Sequence, residues 1–306
     1  EQGLSNNYVV SITQDKQGFL WFATEEGLNK FDGTRFTTYY KNDLTQDNQG
    51  ITGNELNRVY ADTKHPIIWI ATQRDGLNAY NYNEQTFTAY QHNPENPHSL
   101  ITNDVTDIAP STQHDDGLWI STYYRGIEYL DITSGQFTHY NKNTVPGLPC
   151  EQTWTVLDGG DGNLYIGHVG SGFSILSLKD KSVKNFRNEA GNPMSLPGND
   201  VFCIIKDTNG NIWLGTNKGL ALYNAANENF ITFKKNKNDK YDTLCSRILS
   251  IRQLKDNKLW IASELNGIAI LNLKQSMFLS PEEISLEYIQ EGADTVSYTH
   301  LRAHET

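Results

Sequence analysis

One hexapeptide, repeated six times at near-constant spacing, constrains this chain more than any other feature. Phe19-Leu20-Trp21-Phe22-Ala23-Thr24 returns as Ile67-Ile68-Trp69-Ile70-Ala71-Thr72 and as Gly117-Leu118-Trp119-Ile120-Ser121-Thr122. It continues as Asn163-Leu164-Tyr165-Ile166-Gly167-His168, Asn211-Ile212-Trp213-Leu214-Gly215-Thr216 and Lys258-Leu259-Trp260-Ile261-Ala262-Ser263. Successive anchors lie 48, 50, 46, 48 and 47 residues apart. A constant period of this size means one supersecondary unit copied along the chain.

Each copy carries four strand-like pieces. An apolar run such as Val201-Phe202-Cys203-Ile204-Ile205 comes first, and a turn follows, often Asp-x-x-Gly, as at Asp15–Gly18 and Asp207–Gly210. Asp closes such a turn through its side chain, and Gly tolerates positive φ. The anchor strand is second. The third opens on glycine and an apolar residue, as in Gly27-Leu28 and Gly219-Leu220, and the fourth is short and aromatic, as in Phe87-Thr88-Ala89-Tyr90. Four short strands per 40–50 residues, with no sustained helical period, predict an all-β chain, a β-propeller with six four-stranded blades. The propeller is expected over residues 1–295, with blades at about 3–48, 49–98, 99–145, 146–194, 195–241 and 242–290. The fourth strand of the last blade starts either near Phe278 or at Leu286. Residues 296–306 match no part of a blade and read as a non-native tail.

Two positions after each anchor stands a small residue: Ala23, Ala71, Ser121, Gly167, Gly215 and Ala262. The period of two places it on the anchor's own sheet face, where a bulky indole beside a small residue lets blades interlock. The tryptophans are therefore read as core and not as a sugar-stacking ladder.

Composition excludes some functions. A net charge of −11 leaves no cationic excess to neutralise phosphates, so nucleic acid is not an expected partner. Three cysteines without C-x-x-C spacing indicate neither a disulfide framework nor a zinc site. No apolar run approaches the ~20 residues needed to span a bilayer. The chain opens at Glu1 without a signal peptide, which reads as a mature or trimmed start. No Gly-x-Ser-x-Gly, phosphate-binding loop or His-Glu-x-x-His motif is present. Asp207–Asn211 and Gly159–Gly162 fit hairpin turns better than a calcium loop or a phosphate cradle. No cofactor, metal or catalytic residue is assigned.

The repeat resembles the two-component regulator propeller, whose pattern is an apolar strand, Asp-x-x-Gly, apolar-Trp-apolar-Gly/Ala-Thr, Gly-Leu and an aromatic strand. Asp15–Phe31 and Asp207–Tyr223 match almost throughout, and Asn96-Pro97-His98-Ser99-Leu100 and Asn192–Asn199 resemble its inter-blade segment. The fourth copy departs, with Tyr165 for Trp and His168 for Thr. The resemblance implies part of a seven-bladed propeller in the periplasmic sensor of an inner-membrane hybrid two-component protein. Six copies against seven implies an apolar blade face left uncovered. The implied ligand is an oligosaccharide from polysaccharide breakdown. The implied parent carries further blades, C-terminal histidine kinase, receiver and DNA-binding domains, and forms a homodimer. A propeller lyase or glycosidase acting on polysaccharide stays open as the alternative.

In a four-stranded antiparallel blade, the loop leading into the first strand and the loop between the second and third emerge at one end. That end collects Arg58, Arg74, Asp75 and Tyr123-Tyr124-Arg125. It also collects Trp154, His168, Asn217, Lys218, Glu264 and Asn266. Aromatic faces, guanidinium groups and amides stack on sugar rings and bind hydroxyls or carboxylates, so these residues form the candidate ligand site. Two adjacent tyrosines in a surface loop and a tryptophan off the anchor register are not explained by the repeat. The competing reading buries Trp154 on the propeller axis and the tyrosines on a neighbouring blade.

Overall fold

The computed structural model describes residues 3–42, 50–233, 243–254 and 257–273, together with the backbone of 286–289. They form six four-stranded sheets, each in chain order, and one 3-10 turn at Thr243–Cys245. The chain is an all-β β-propeller. Blade 1 comprises β1 (Val9–Gln14), β2 (Leu20–Thr24), β3 (Gly27–Phe31) and β4 (Phe36–Tyr39). Blade 2 comprises β5 (Leu56–Ala61), β6 (Ile67–Thr72), β7 (Leu77–Asn81) and β8 (Thr86–Tyr90). Blade 3 comprises β9 (Val105–Pro110), β10 (Gly117–Thr122), β11 (Gly126–Asp131) and β12 (Gln136–Tyr140). The fourth sheet holds β13 (Thr153–Asp158), β14 (Asn163–His168), β15 (Phe173–Ser177) and β16 (Val183–Phe186). The fifth holds β17 (Val201–Lys206), β18 (Ile212–Thr216), β19 (Gly219–Asn224) and β20 (Asn229–Thr232). The sixth holds β21 (Ile248–Gln253), β22 (Lys258–Ser263), β23 (Ile268–Asn272) and β24 (Leu286–Ile289). The last blade's fourth strand therefore begins at Leu286, paired with Ile268–Leu271. Phe278 and the tail at 296–306 lie outside the described residues.

Two compact units divide the chain: residues 1–166 with 174–185, and residues 167–173 with 186–306. In the first, Trp21 and Ala23 are fully buried against Val59, Ile68, Ile70, Tyr80 and Phe87 of blade 2. Trp69 and Ala71 repeat this against Ile108, Leu118, Ile120 and Phe137 of blade 3. In the second unit, Trp213 packs with Ile251, Leu259, Ile261 and Leu271. The indole face of one blade meets the aliphatic face of the next, which is why inner strands are apolar on both faces. Ile12 occupies the place that Val59 and Ile108 hold in blades 2 and 3. It is 48% exposed against their 1% and 2%.

Polar residues of the repeat carry bonds that several copies share. The turn aspartate accepts backbone N–H groups through one oxygen and the anchor indole through the other. Asp15 Oδ1 takes the Gln17 and Phe19 amides, and Asp15 Oδ2 takes Trp21 Nε1 at 2.7 Å. Asp207 Oδ2 binds Trp213 Nε1 at 2.9 Å, and Asp62 Oδ2 binds Trp69 Nε1 at 3.2 Å. In four copies the threonine closing the anchor strand donates to the glycine before or at the start of the third strand: Thr24 to Gly27, Thr72 to Gly76, Thr122 to Gly126 and Thr216 to Gly219. The Asn-Pro segments seal the outer strands, since the His98 carbonyl accepts the Phe137 amide and the Met194 carbonyl that of Phe230.

A bulge recurs near the start of the inner strand. Register shifts fall between Val9 and Ser11, Leu56 and Arg58, Val201 and Cys203, and Ile248 and Ser250. A bulge frees one side chain per strand from the alternation of faces and re-aims it.

Candidate ligand-binding site

Two kinds of segment are stitched together at one end of the blades. The first residue of the loop between strands two and three donates its N–H to the residue leading into strand one. In the first unit the pairs are Glu25 to Tyr8, Gln73 to Glu55 and Tyr123 to Asp104. In the second they are Asn217 to Asp200 and Glu264 to Arg247. The loops that carry the candidate residues are thus fixed at their roots by backbone bonds, while their tips face solvent.

In the first unit the structure brings three candidate aromatics together. Tyr123 and Tyr124 pack edge to face at 4.5 Å, and Tyr123 meets Trp154 at 6.1 Å with the rings nearly perpendicular. Tyr124 is 52% exposed, and Tyr123 and Trp154 are half-buried. Trp154 stands eleven residues before its anchor, as do Val10 and Phe202, the residues at the bulge of their strands. It thus shares their place in the repeat. Arg125 is exposed, and its backbone N–H is held by Thr122 Oγ1 at 3.2 Å.

Arg58 lies on inner strand β5, with Nε 3.0 Å from Asp107 Oδ1 on β9. The pair is close enough for ionic attraction, although Nε is not aligned for a hydrogen bond. Asp107 Oδ2 accepts Thr155 Oγ1 at 2.7 Å, so one chain of polar contacts crosses the inner strands of three sheets. Arg74 is exposed, and Asp75 pairs with Lys41 at 3.5 Å.

In the second unit His168 is fully buried, and its backbone N–H donates to the Gly172 carbonyl at 2.9 Å. Asn217 Oδ1 accepts the Asp200 amide at 3.3 Å, and Lys218 is exposed. Glu264 pairs with Arg247 at 3.1 Å, and the Asn266 carbonyl accepts Thr243 Oγ1 at 2.9 Å. Arg247 also stacks 4.4 Å above the Phe202 ring.

Sequence reasoning missed Asp107 and Arg247, the charge partners of Arg58 and Glu264. A charged residue within or just before an otherwise apolar inner strand was the available signal. It also missed a concavity of about 760 Å³ in the first unit, at the opposite turns of the blades, lined by Ser111, His114, Asp115, Asp116, Tyr129 and Asp131 among others. Among the described residues, no group of three or more His, Cys, Asp or Glu side chains is placed to hold a metal ion. Asp207–Asn211 is a hairpin turn in which Oδ1 accepts the Asn209 and Asn211 amides.

Comparison with known proteins agrees with this architecture. The profile of the two-component regulator propeller matches residues 3–26 and 195–218. The extracellular domain assigned to the hybrid two-component system BT3049 of B. thetaiotaomicron is 64% identical over 96% of this chain, with a TM-score of 0.83. This chain spans 36% of that one. The extracellular domain of BT4673 from the same organism shares 21% identity at a TM-score of 0.70, which bears on the fold alone. A 40-residue stretch is 55% identical to Histidine kinase P4 of Formosa agariphila, covering 13% of this chain and 3% of the kinase. No helix among the described residues is long and apolar enough to cross a membrane. Two of the repeats match the two-component regulator propeller, and in sequence and fold the chain is similar to the extracellular domain of a hybrid two-component system.

Proposed function

We propose that this chain is the extracytoplasmic ligand-sensing propeller of a hybrid two-component system, periplasmic in location, and that it detects an oligosaccharide to control polysaccharide-utilisation genes. The 64% identity to an extracellular domain supports the sensor assignment. The observation that carries the ligand class is the Tyr123–Tyr124–Trp154 group beside Arg125, an aromatic surface in which exposed Tyr124 and half-buried Tyr123 stand on a loop fixed at its root, next to half-buried Trp154 of β13. Such a surface stacks on the apolar face of a sugar ring while a guanidinium binds hydroxyls or a carboxylate. The parent protein supplies further blades and the C-terminal kinase, receiver and DNA-binding domains, and it works as a homodimer. This propeller carries no turnover of its own in that scheme.

The test is calorimetric titration of oligosaccharides into the complete sensor domain. Tyr124→Ala and Arg125→Ala should each weaken binding about tenfold, the equivalent of ~1.4 kcal/mol. Unchanged affinity in both variants rejects this loop as the site, and turnover of the titrant during the measurement favours the lyase or glycosidase reading.

A further inference from the structure

Blades 1 to 3 use the same third-strand position to hold the segment that leads into their first strand. In blade 1, Asn29 Oδ1 accepts the Ser5 amide at 3.0 Å and the Thr38 hydroxyl at 2.9 Å. In blade 2, Asn78 accepts the Thr52 amide at 3.1 Å and donates to Thr52 Oγ1 at 2.8 Å. These are neutral bonds. In blade 3 the position is Glu128, and the residue facing it across β11 and β12 is His139. The Glu128 side chain is 0% exposed.

His139 is held at both nitrogens. Nδ1 lies 2.7 Å from Glu128 Oε2, and Nε2 lies 2.9 Å from the Pro97 carbonyl. A carbonyl can only accept, so Nε2 must carry a proton. Nδ1 faces a carboxyl group, so the bond needs a second proton, on the imidazole or on Glu128. The arrangement therefore exists only with one proton more than a neutral histidine and a carboxylate together hold, and that proton belongs to the pair. Glu128 Oε1 makes no well-aligned hydrogen bond. Besides His139, the groups that favour its charge are the Ile101 backbone amide and, at longer range, His92, whose own Nδ1 engages the Leu100 carbonyl at 2.8 Å.

Pro97 belongs to the segment joining blades 2 and 3. The carbonyl of its neighbour His98 accepts the Phe137 amide at 2.9 Å, and Leu100 is fully buried. The same segment runs on to Asn103 and Asp104, which accept the Gly76 and Tyr123 amides.

We propose that Glu128, His139 and the Pro97 carbonyl form a proton-operated latch that closes the segment between blades 2 and 3 onto blade 3 in the protonated state and releases it on deprotonation. Loss of the proton costs one of the two bonds of His139 and leaves a buried carboxylate without its cation. The direction of the shifts agrees. The Glu128 hydrogen bond raises His139 above its ordinary 6.5 against the opposing effect of burial. Burial raises Glu128, in spite of His139. A histidine raised in the folded state stabilises fully below about pH 6.5 and loses that contribution as pH climbs through its folded value. The latch is thus closed in mildly acidic medium and opens in alkaline medium. Because Asp104 roots the Tyr123 loop, opening also loosens the base of the proposed ligand surface, although the latch itself does not depend on that surface binding a sugar.

The experiment follows the 306-residue chain by NMR and by amide hydrogen exchange. The His139 ring resonances should titrate above the ordinary histidine value. Protection of the Phe137 amide and of the Ser99 amide, which donates to the Asn96 carbonyl, corrected for intrinsic exchange, should fall about tenfold from roughly pH 6 to roughly pH 9. E128N/H139T, which copies the neutral Asn29–Thr38 pair of blade 1, should keep these amides protected without that fall. Titration of His139 at or below the ordinary value overturns the proposal, and so does an equal loss of protection in the variant. The wild-type titration decides the matter even where the variant does not fold.

Discussion

At the scale of single residues, the chain shows one function passed between neighbouring copies of the repeat. Blade 3 has Ser111 where blades 1 and 2 have Asp15 and Asp62, so Trp119 has no carboxylate at that position of its own turn. Asp158 of the next sheet supplies it, with Oδ2 3.1 Å from Trp119 Nε1 and 3.0 Å from the Thr112 amide. Asp158 is available because the fourth anchor is Tyr165, whose hydroxyl reaches Asp161 at 2.8 Å instead. The substitutions at 111 and 165 are thus coupled through one carboxylate. Trp213→Ala should cost about 3–5 kcal/mol, as large aromatic truncations in cores do. Asp207→Ala should cost about 1–3 kcal/mol for the unpaired indole N–H and turn amides. Asp158→Ala should cost a comparable amount, because it orphans Trp119, both donors of Thr112 and the Gly160 amide, as many donors as Asp207 serves. Urea unfolding of the three variants checks this, and a negligible cost for Asp158→Ala rejects the shared-carboxylate account.

At the scale of elements, the small residue after each anchor is not equally constrained. Ala23 and Ala71 fit with no exposure. At Gly215 a Cβ would stand 2.5 Å from Cys203 Sγ and 2.7 Å from Ile248 Cγ2. These are contacts between β17, β18 and the first strand of the sixth sheet, so a methyl group there pushes on a blade interface. Gly215→Ala is expected to destabilise by about 1–3 kcal/mol, the usual cost of overpacking. Adding Cys203→Ala should recover part of that loss, because it removes one of the two obstructing atoms. A double-mutant cycle by denaturant titration measures the coupling, and additive losses would show that the methyl is relieved elsewhere.

At the scale of the molecule, a chain of net charge −11 holds some of its blades together with histidines that must be charged to do so. His65 places Nδ1 3.1 Å from Asp62 and Nε2 2.8 Å from Asp116, joining the turn of blade 2 to that of blade 3. Burial opposes its charge, but the hydrogen bonds and attraction of Asp62 and Asp116 outweigh it and raise the pKa above 6.5. The bridge is complete below that value and is lost as pH rises through the folded one. Wild-type stability should therefore decline from mildly acidic to mildly alkaline pH more steeply than that of His65→Gln. Thermal unfolding across the range checks this, and parallel profiles would exclude His65 as the source. The same bridge sits beside Lys64, which pairs with Asp115, so moderate salt should weaken this joint as well.

What the sequence alone determined was whatever each copy repeats. The anchor strand, the Asp-x-x-Gly turn, the small residue and the Gly-Leu opening are local signals, and their recurrence makes blade number and strand order legible along the chain itself. Tyr123, Tyr124 and Trp154 stand out because they depart from that pattern. Tertiary structure decided what depends on partners far apart in the chain. It chose Asp158 over a carboxylate of blade 3's own for Trp119, set Trp154 against Tyr123, buried His168, and paired Arg58 with Asp107 and Glu128 with His139. Each of these outcomes is a competition among acceptors, faces and cavities brought together only when blades pack, and no periodicity along a single strand encodes its winner.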